Sequence, residues 1–247
     1  MIDNFAFDSA RARVLSDELS LCGIGMLKEK SAHRILKLYF QPDESMHEVE
    51  ILGSVCDCVT EDGIIEVQTA SLYPLLPKLL RLLPHYRVRV VHPLYTELYL
   101  RTLDKDSGEM SNPRKSPKRE SIYSLSYDLY RIREVLSHPN FSLHLLFLRG
   151  EEIRLKDGRR ARRGTVSARL ERIPLRILGE QILASSRDYL GMLPEGLKGE
   201  FSAKEFSALI KSRSRYDAYA LRLLCELGFL KRRKENRSYL YSLVTED

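Results

Sequence analysis

Residues 54–71 read SVCDCVTEDGIIEVQTAS, and the fold turns on how they are read. Two apolar runs flank the turn signal Glu61-Asp62-Gly63, so the stretch predicts a β-hairpin, with residues 48–60 as one strand and 64–70 as the next. Along the second strand Glu66 and Gln68 share one face, while Ile65 and Val67 take the other. A hairpin brings the end of its first strand close to the start of its second, so Asp57 and Glu66 are expected as neighbours. Two adjacent carboxylates repel unless they share a proton or a cation. A hard divalent ion, held by one or two carboxylates with water and phosphate completing its shell, is the simplest partner.

Outward from the hairpin, residues 10–39 read as helical, broken near Gly23 and Gly25, with a second helix starting near Met26. On that helix Glu29, His33 and Lys37 fall in one line, four residues apart. Taken alone, this ridge reads first as a ladder of ion pairs on a solvated face. Residues 72–85 predict a helix with prolines in its first turns, and 86–94 and 95–103 predict two more strands. Helix, hairpin, helix, strand describes an α/β domain with a central sheet flanked by helices. Further on, 122–138 predicts a helix and 141–155 a strand that turns at the basic run 156–164.

The chain has 247 residues and 43% hydrophobic content, enough for one large or two modest domains with a packed core. Its longest apolar run is interrupted by Lys78 and Arg81, so no membrane span is expected. With four cysteines and no secretory pattern at residues 1–13, a reduced cytoplasmic setting is expected. Cys56 and Cys58 lack the spacing of a structural zinc site and read as small buried strand residues. The net charge of +6 is uneven: residues 1–100 carry 10 Lys and Arg against 14 Asp and Glu, and the remainder carries 30 against 20. A basic back half joined to an acidic front half suggests polyanion binding beside a carboxylate site. No nucleotide-binding P-loop and no nucleophile elbow occurs.

These elements carry a resemblance. An acidic residue, a short turn, then Glu-x-Lys on the next strand is the core of the PD-(D/E)xK restriction-endonuclease-like superfamily, and this sequence resembles a variant with Gln68 in the lysine position. It is more similar still to competence-protein CoiA-like nucleases, on Glu29, His33 and Lys37, then Asp57, then Glu66-Val67-Gln68 followed by Thr69. The resemblance covers roughly residues 26–95. It implies a restriction-endonuclease-like mixed sheet over residues 1–165, with its core at about 26–103, and Mg²⁺ or Mn²⁺ on Asp57 and Glu66. Gln68 would position the attacking water but brings no charge, which Lys37 or Lys78 would supply. Glu29 would add a ligand or an acceptor, and His33 would contact phosphate or orient a carboxylate.

Residues 172–247 predict a second, winged helix-turn-helix domain. Residues 174–193 read as one helix, Ser202 and Glu205 as a capping box, 215–230 as a helix closed by Gly228, and 229–244 as a two-stranded ribbon. Arg213, Arg215, Tyr216, Tyr219 and Arg222 fall on or before the recognition helix, and Arg232, Arg233 and Lys234 fall on the wing, where they suit phosphate and groove contacts. The expected partner is nucleic acid, DNA first, and a homodimer is compatible with this. The sequence thus predicts a metal-dependent nuclease targeted by a winged helix. Two alternatives stay open: a non-catalytic DNA-binding or regulatory protein on the same scaffold, and an interaction module whose winged helix binds a protein.

Overall fold

A computed structural model describes residues 2–20, 30–160, 165–197, 199–211, 216–236 and 238–244. Glu29, Arg213 and Arg215 lie outside the described residues. The chain is a mixed α/β protein with a large mixed sheet flanked by helices, and none of its described helices is long and apolar enough to cross a membrane.

Helix α1 covers Asn4–Ser20 and α2 covers Ser31–Phe40; the expected start of the second helix near Met26 lies outside the described residues. The predicted first strand is in fact two, β1 (His47–Ile51) and β2 (Ser54–Thr60). Leu52 and Gly53 both take positive φ, 50° and 67°, which makes the tight connection that joins twisted antiparallel strands. An apolar leucine in that turn hid it from a reading that looks for Asn or Asp. Strand β3 (Gly63–Val67) follows, then a short 3-10 turn at Tyr73–Leu75 and α3 (Leu76–Leu82). The next two expected strands are one, β4 (Val88–Asp104). β5 (Arg114–Lys115), α4 (Ser126–Arg131), β6 (Phe141–Arg160) and β7 (Thr165–Leu183) complete this part. Among the described residues the sheet order is β1-β2-β3-β4-β6-β7, with β5 beside β4.

Strand β7 corrects two expectations. Residues 174–183 form strand rather than helix, and the domain junction placed between 165 and 172 falls inside that strand. The burial alternates: Ile177 and Leu183 are buried, while Leu178 and Ile182 are 41% and 46% exposed. Period two, not 3.6, governs this run.

By contacts the chain divides into two compact units. The first comprises residues 1–69, 91–120 and 144–181; the second comprises 70–90, 121–143 and 182–247. The core of the first gathers Phe7 and Val14 of α1, Ile35 and Leu36 of α2, Cys58, Ile65 and Val67 of the hairpin, and Val91, Leu146 and Leu148 of the central strands. Burying such side chains stabilises by about 1.5–3 kcal/mol each. In the second unit, β8 (Phe201–Ser202), α5 (Ala203–Leu209), α6 (Asp217–Glu226), β9 (Leu230–Glu235) and β10 (Ser238–Leu243) follow in order, with the strands arranged β8-β10-β9. The expected capping box is present: the Ser202 and Glu205 side chains reach each other's backbone amides.

Candidate functional site

Strands β2 and β3 pair antiparallel with Cys58 opposite Ile65, Val59 opposite Ile64 and Thr60 opposite Gly63. Continued by one step, that register sets Asp57 opposite Glu66. There the two side chains take up backbone donors. The amide of Val67 donates to Asp57 Oδ2 at 2.8 Å, and the amide of Asp57 donates to Glu66 Oε1 at 3.4 Å. Each carboxylate thus grips the opposite strand. His33, reaching from α2, donates from Nε2 to Asp57 Oδ2 at 3.1 Å. The Glu66 residue is only 3% exposed, while the side chains of Asp57 and His33 are each 22% exposed. A buried carboxylate beside a half-buried one, with a histidine orienting the latter, is an arrangement able to hold a cation or move a proton.

Of the expected set, the structure therefore gathers His33, Asp57 and Glu66. Lys37 lies one turn further along α2, is buried, and its ammonium pairs with Glu48 Oε1 of β1 at 3.0 Å. It also borders a cavity of about 240 Å³ that Arg34, Glu44 and His47 help to line. The Glu48 side chain, 65% exposed, reaches back to hold Lys37. Gln68 follows the last residue of β3 and its amide donates to the Val91 carbonyl of β4 at 2.9 Å, which fixes the backbone from which its side chain projects. Lys78 sits on α3, in the second unit. Cys56 and Cys58 are fully buried, as expected of strand core residues. No cluster of three or more His, Cys, Asp or Glu able to hold a metal occurs among the described residues. A divalent ion placed here would take the Asp57 and Glu66 carboxylates, two ligands of the kind a hard cation completes with water and phosphate.

A second polar cluster in the first unit has no counterpart in the sequence reading. Arg172 of β7 donates from Nη2 to Glu152 Oε2 of β6 at 2.6 Å and from Nη1 to Glu120 Oε1 at 3.0 Å. Its guanidinium also lies 4.7 Å from the ring centre of Tyr95 on β4. Glu152, 1% exposed, further accepts from Arg154 Nε at 2.6 Å. Burial alone would push the Glu152 carboxyl up, but the hydrogen bonds from Arg172 and Arg154 outweigh it and hold the group below its usual range. Tyr95 is 3% exposed, its phenol pushed up by burial, and its hydroxyl has no hydrogen-bond partner among the described residues. Its ring lies against the backbone of Gly150, where a Cβ would sit 2.3 Å from Tyr95 Cε1. The only sequence trace of this cluster is a glycine inside an apolar strand pattern, the mark of a close backbone approach.

In the second unit the tyrosines expected to face a partner also pack on one another. Tyr216 stacks on Tyr127 with ring centres 5.4 Å apart, and Tyr219 meets Tyr127 edge-on at 4.8 Å. Arg222 lies over Tyr219 at 5.2 Å and Arg232 over Tyr239 at 5.0 Å. Arg233 is forked onto Glu200, at 2.8 and 2.7 Å, and those bonds raise its pKa further. Residues Lys231 to Glu235 of β9 are all exposed.

A protein of Treponema pallidum (strain Nichols) described as uncharacterized is 42% identical over 135 residues, which make up 54% of this chain and 53% of that protein. The chain thus matches about half the length of that curated relative. No solved structure matches. Residues 30–184 match the model of a domain of unknown function, DUF8091, and they contain His33, Asp57, Glu66 and the Tyr95–Arg172 cluster. The chain belongs to the DUF8091 family.

Proposed function

We propose that this protein is a metal-dependent nuclease of the PD-(D/E)xK type, in which Asp57 and Glu66 hold a divalent ion and the C-terminal part of the second unit, as a winged helix, engages DNA. The observation that carries this reading is the interlock of Asp57 and Glu66 across β2 and β3, with His33 bonded to the same Asp57 oxygen that takes the Val67 amide. The order α5, α6, β9, β10 and the exposed basic strand β9 support the winged-helix part.

Bound at the two carboxylates, Mg²⁺ or Mn²⁺ supplies the positive charge that phosphodiester hydrolysis demands. The residues of the chain then have separate tasks. Glu66, buried, offers an anionic oxygen that water screens little. His33 fixes the orientation of Asp57 through its Nε2–H. Gln68, on backbone pinned to β4, orients a water through its side-chain amide and adds no charge.

The test is cleavage of plasmid and single-stranded DNA by the purified chain with Mg²⁺ or Mn²⁺. Activity is expected from the wild type and none from the Asp57→Ala, Glu66→Ala double variant; cleavage that survives both changes refutes the site. A second reading, a DNA-binding protein without catalysis on the same scaffold, is favoured by Gln68 in the lysine position and by the bond of Lys37 to Glu48. Calorimetric titration separates the two. Metal binding that disappears in the double variant supports the nuclease, and a wild type that takes up neither ion supports the scaffold.

A further inference from the structure

Strands β9 and β10 of the second unit pair as a hairpin, and their register sorts its side chains onto two faces. Arg233 stands opposite Leu240 and Glu235 opposite Ser238, so these share one face. Arg232 stands opposite Tyr241 and Lys234 opposite Tyr239, so these share the other. The faces differ in charge balance. On the first, Arg233 is forked onto Glu200 at 2.8 and 2.7 Å and also bonds Glu235 at 3.1 Å, so two carboxylates neutralise one guanidinium. On the second, Arg232 and Lys234 are exposed, and neither makes an ion pair with a described residue.

The second face is anchored at its base and open further out. Leu230 and Tyr241 are 3% and 5% exposed, and Tyr241 stacks on Phe201 with ring centres 6.1 Å apart. Burial raises the Tyr241 phenol, and Arg232 and Arg222 both oppose that rise, so one guanidinium from β9 and one from α6 act on the same ring. Arg222 is exposed as well and makes no ion pair with a described residue. Beyond Tyr241, Tyr239 is 43% exposed, and the Arg232 guanidinium lies 5.0 Å from its ring centre. Helix and hairpin thus present three unneutralised cations beside one open ring.

Exposed cations without carboxylate partners suit the phosphates of a nucleic-acid strand. The Arg232–Tyr239 pair adds a flat guanidinium and a flat phenol, and surfaces of this kind take the face of a base. In a duplex each base face is covered by its neighbours, so the pair selects an unpaired strand. We infer that Arg222, Arg232, Lys234 and Tyr239 form a binding surface for single-stranded DNA, with the cations on phosphates and Tyr239 stacked on one base, while Arg233 serves the fold. This names the form of DNA taken, and it rests on the reading that the C-terminal part of the second unit engages DNA.

The experiment measures, by fluorescence anisotropy, the affinity of the full chain for one labelled oligonucleotide as a single strand and as a blunt duplex. Divalent ions are left out, so no cleavage intervenes. The wild type is expected to bind the single strand about tenfold more tightly, in line with the stacking of one base on an aromatic ring. Tyr239→Leu keeps an apolar side chain without the ring; it is expected to lose that tenfold and to leave duplex binding unchanged. Arg222→Ala is expected to flatten the dependence of log affinity on log salt for the single strand by about 0.7, the share of one phosphate contact. Arg233→Ala is expected to change neither affinity by more than about twofold, since its charge is already neutralised. The altered side chains are all exposed, and melting temperatures equal to that of the wild type show that lost binding is not lost folding. Duplex bound as tightly as single strand, or Tyr239→Leu binding the single strand as the wild type does, overturns the inference and leaves the DNA-binding reading in place. A wild type that binds neither form overturns both.

Discussion

Gly150→Ala is the most demanding test of the packing around Tyr95. The added methyl would sit 2.3 Å from Tyr95 Cε1, 2.5 Å from Cδ1 and 3.0 Å from the Ile173 carbonyl oxygen. Carbon atoms rest at about 3.5–4.0 Å, so the ring or the strand must retreat by more than about 1 Å. The ring has little room to do so. Tyr95 is 3% exposed, and the Arg172 guanidinium occupies its neighbourhood at 4.7 Å from the ring centre. Overpacking a closed core costs about 1–3 kcal/mol. Disturbing the cation–π contact adds roughly 0.5–1 kcal/mol. Together these give about 1.5–4 kcal/mol, a fall in melting temperature of roughly 3–16 °C for a chain of this size. Thermal unfolding followed by circular dichroism reads the shift. Tyr95→Leu supplies the control: in that background the ring is absent, and Gly150→Ala is expected to cost less than about 1 kcal/mol. A Gly150→Ala protein that melts within about 1 °C of wild type refutes the reasoning.

Two further outcomes are expected. Glu152 is held below its ordinary 4.5 by Arg172 and Arg154 despite burial, so its charge stabilises the fold above the usual glutamate range and that contribution is lost as pH falls through its lowered value. Glu152→Gln should therefore be less stable than wild type by about 1.5–3 kcal/mol at neutral pH, and melting curves from neutral to acid pH should show the gap closing; a gap constant with pH refutes the assignment. Arg232→Ala with Lys234→Ala removes two exposed cations from β9. This pair should flatten the dependence of log affinity on log salt for DNA by about two, read by fluorescence anisotropy, and an unchanged slope refutes phosphate contact by that strand.

The β2–β3 hairpin and the meeting of Asp57 with Glu66 were legible because they rest on a period of two and a polar turn, both local features. The capping box at Ser202 was legible for the same reason. The break between β1 and β2 was not, because Leu52 occupies a left-handed position that sequence patterns reserve for glycine or asparagine. Strand β7 was misread since Leu175, Ile177, Leu178, Ile182 and Leu183 satisfy helical spacing, and only the sheet beside them decides for strand. Lys37 shared a helical line with His33, yet its partner is Glu48 on a neighbouring strand. Arg172 and Glu120 stand far apart in sequence, and no spacing announces a bond made across a sheet.

Each compact unit is assembled from three separate stretches of chain, and this has a consequence for how the protein is born. The first unit is complete only when residue 181 has been made. At synthesis rates of about 5–20 residues per second, β3 and β4 wait on the order of ten seconds for the rest of their sheet. An apolar strand edge left open that long is a template for pairing with another chain. The nascent protein is therefore expected to lean on chaperones more than a sequential two-domain chain would. A cut before residue 181 leaves the sheet of the first unit unfinished, and a cut after residue 183 keeps that sheet but leaves the second unit without most of its last stretch.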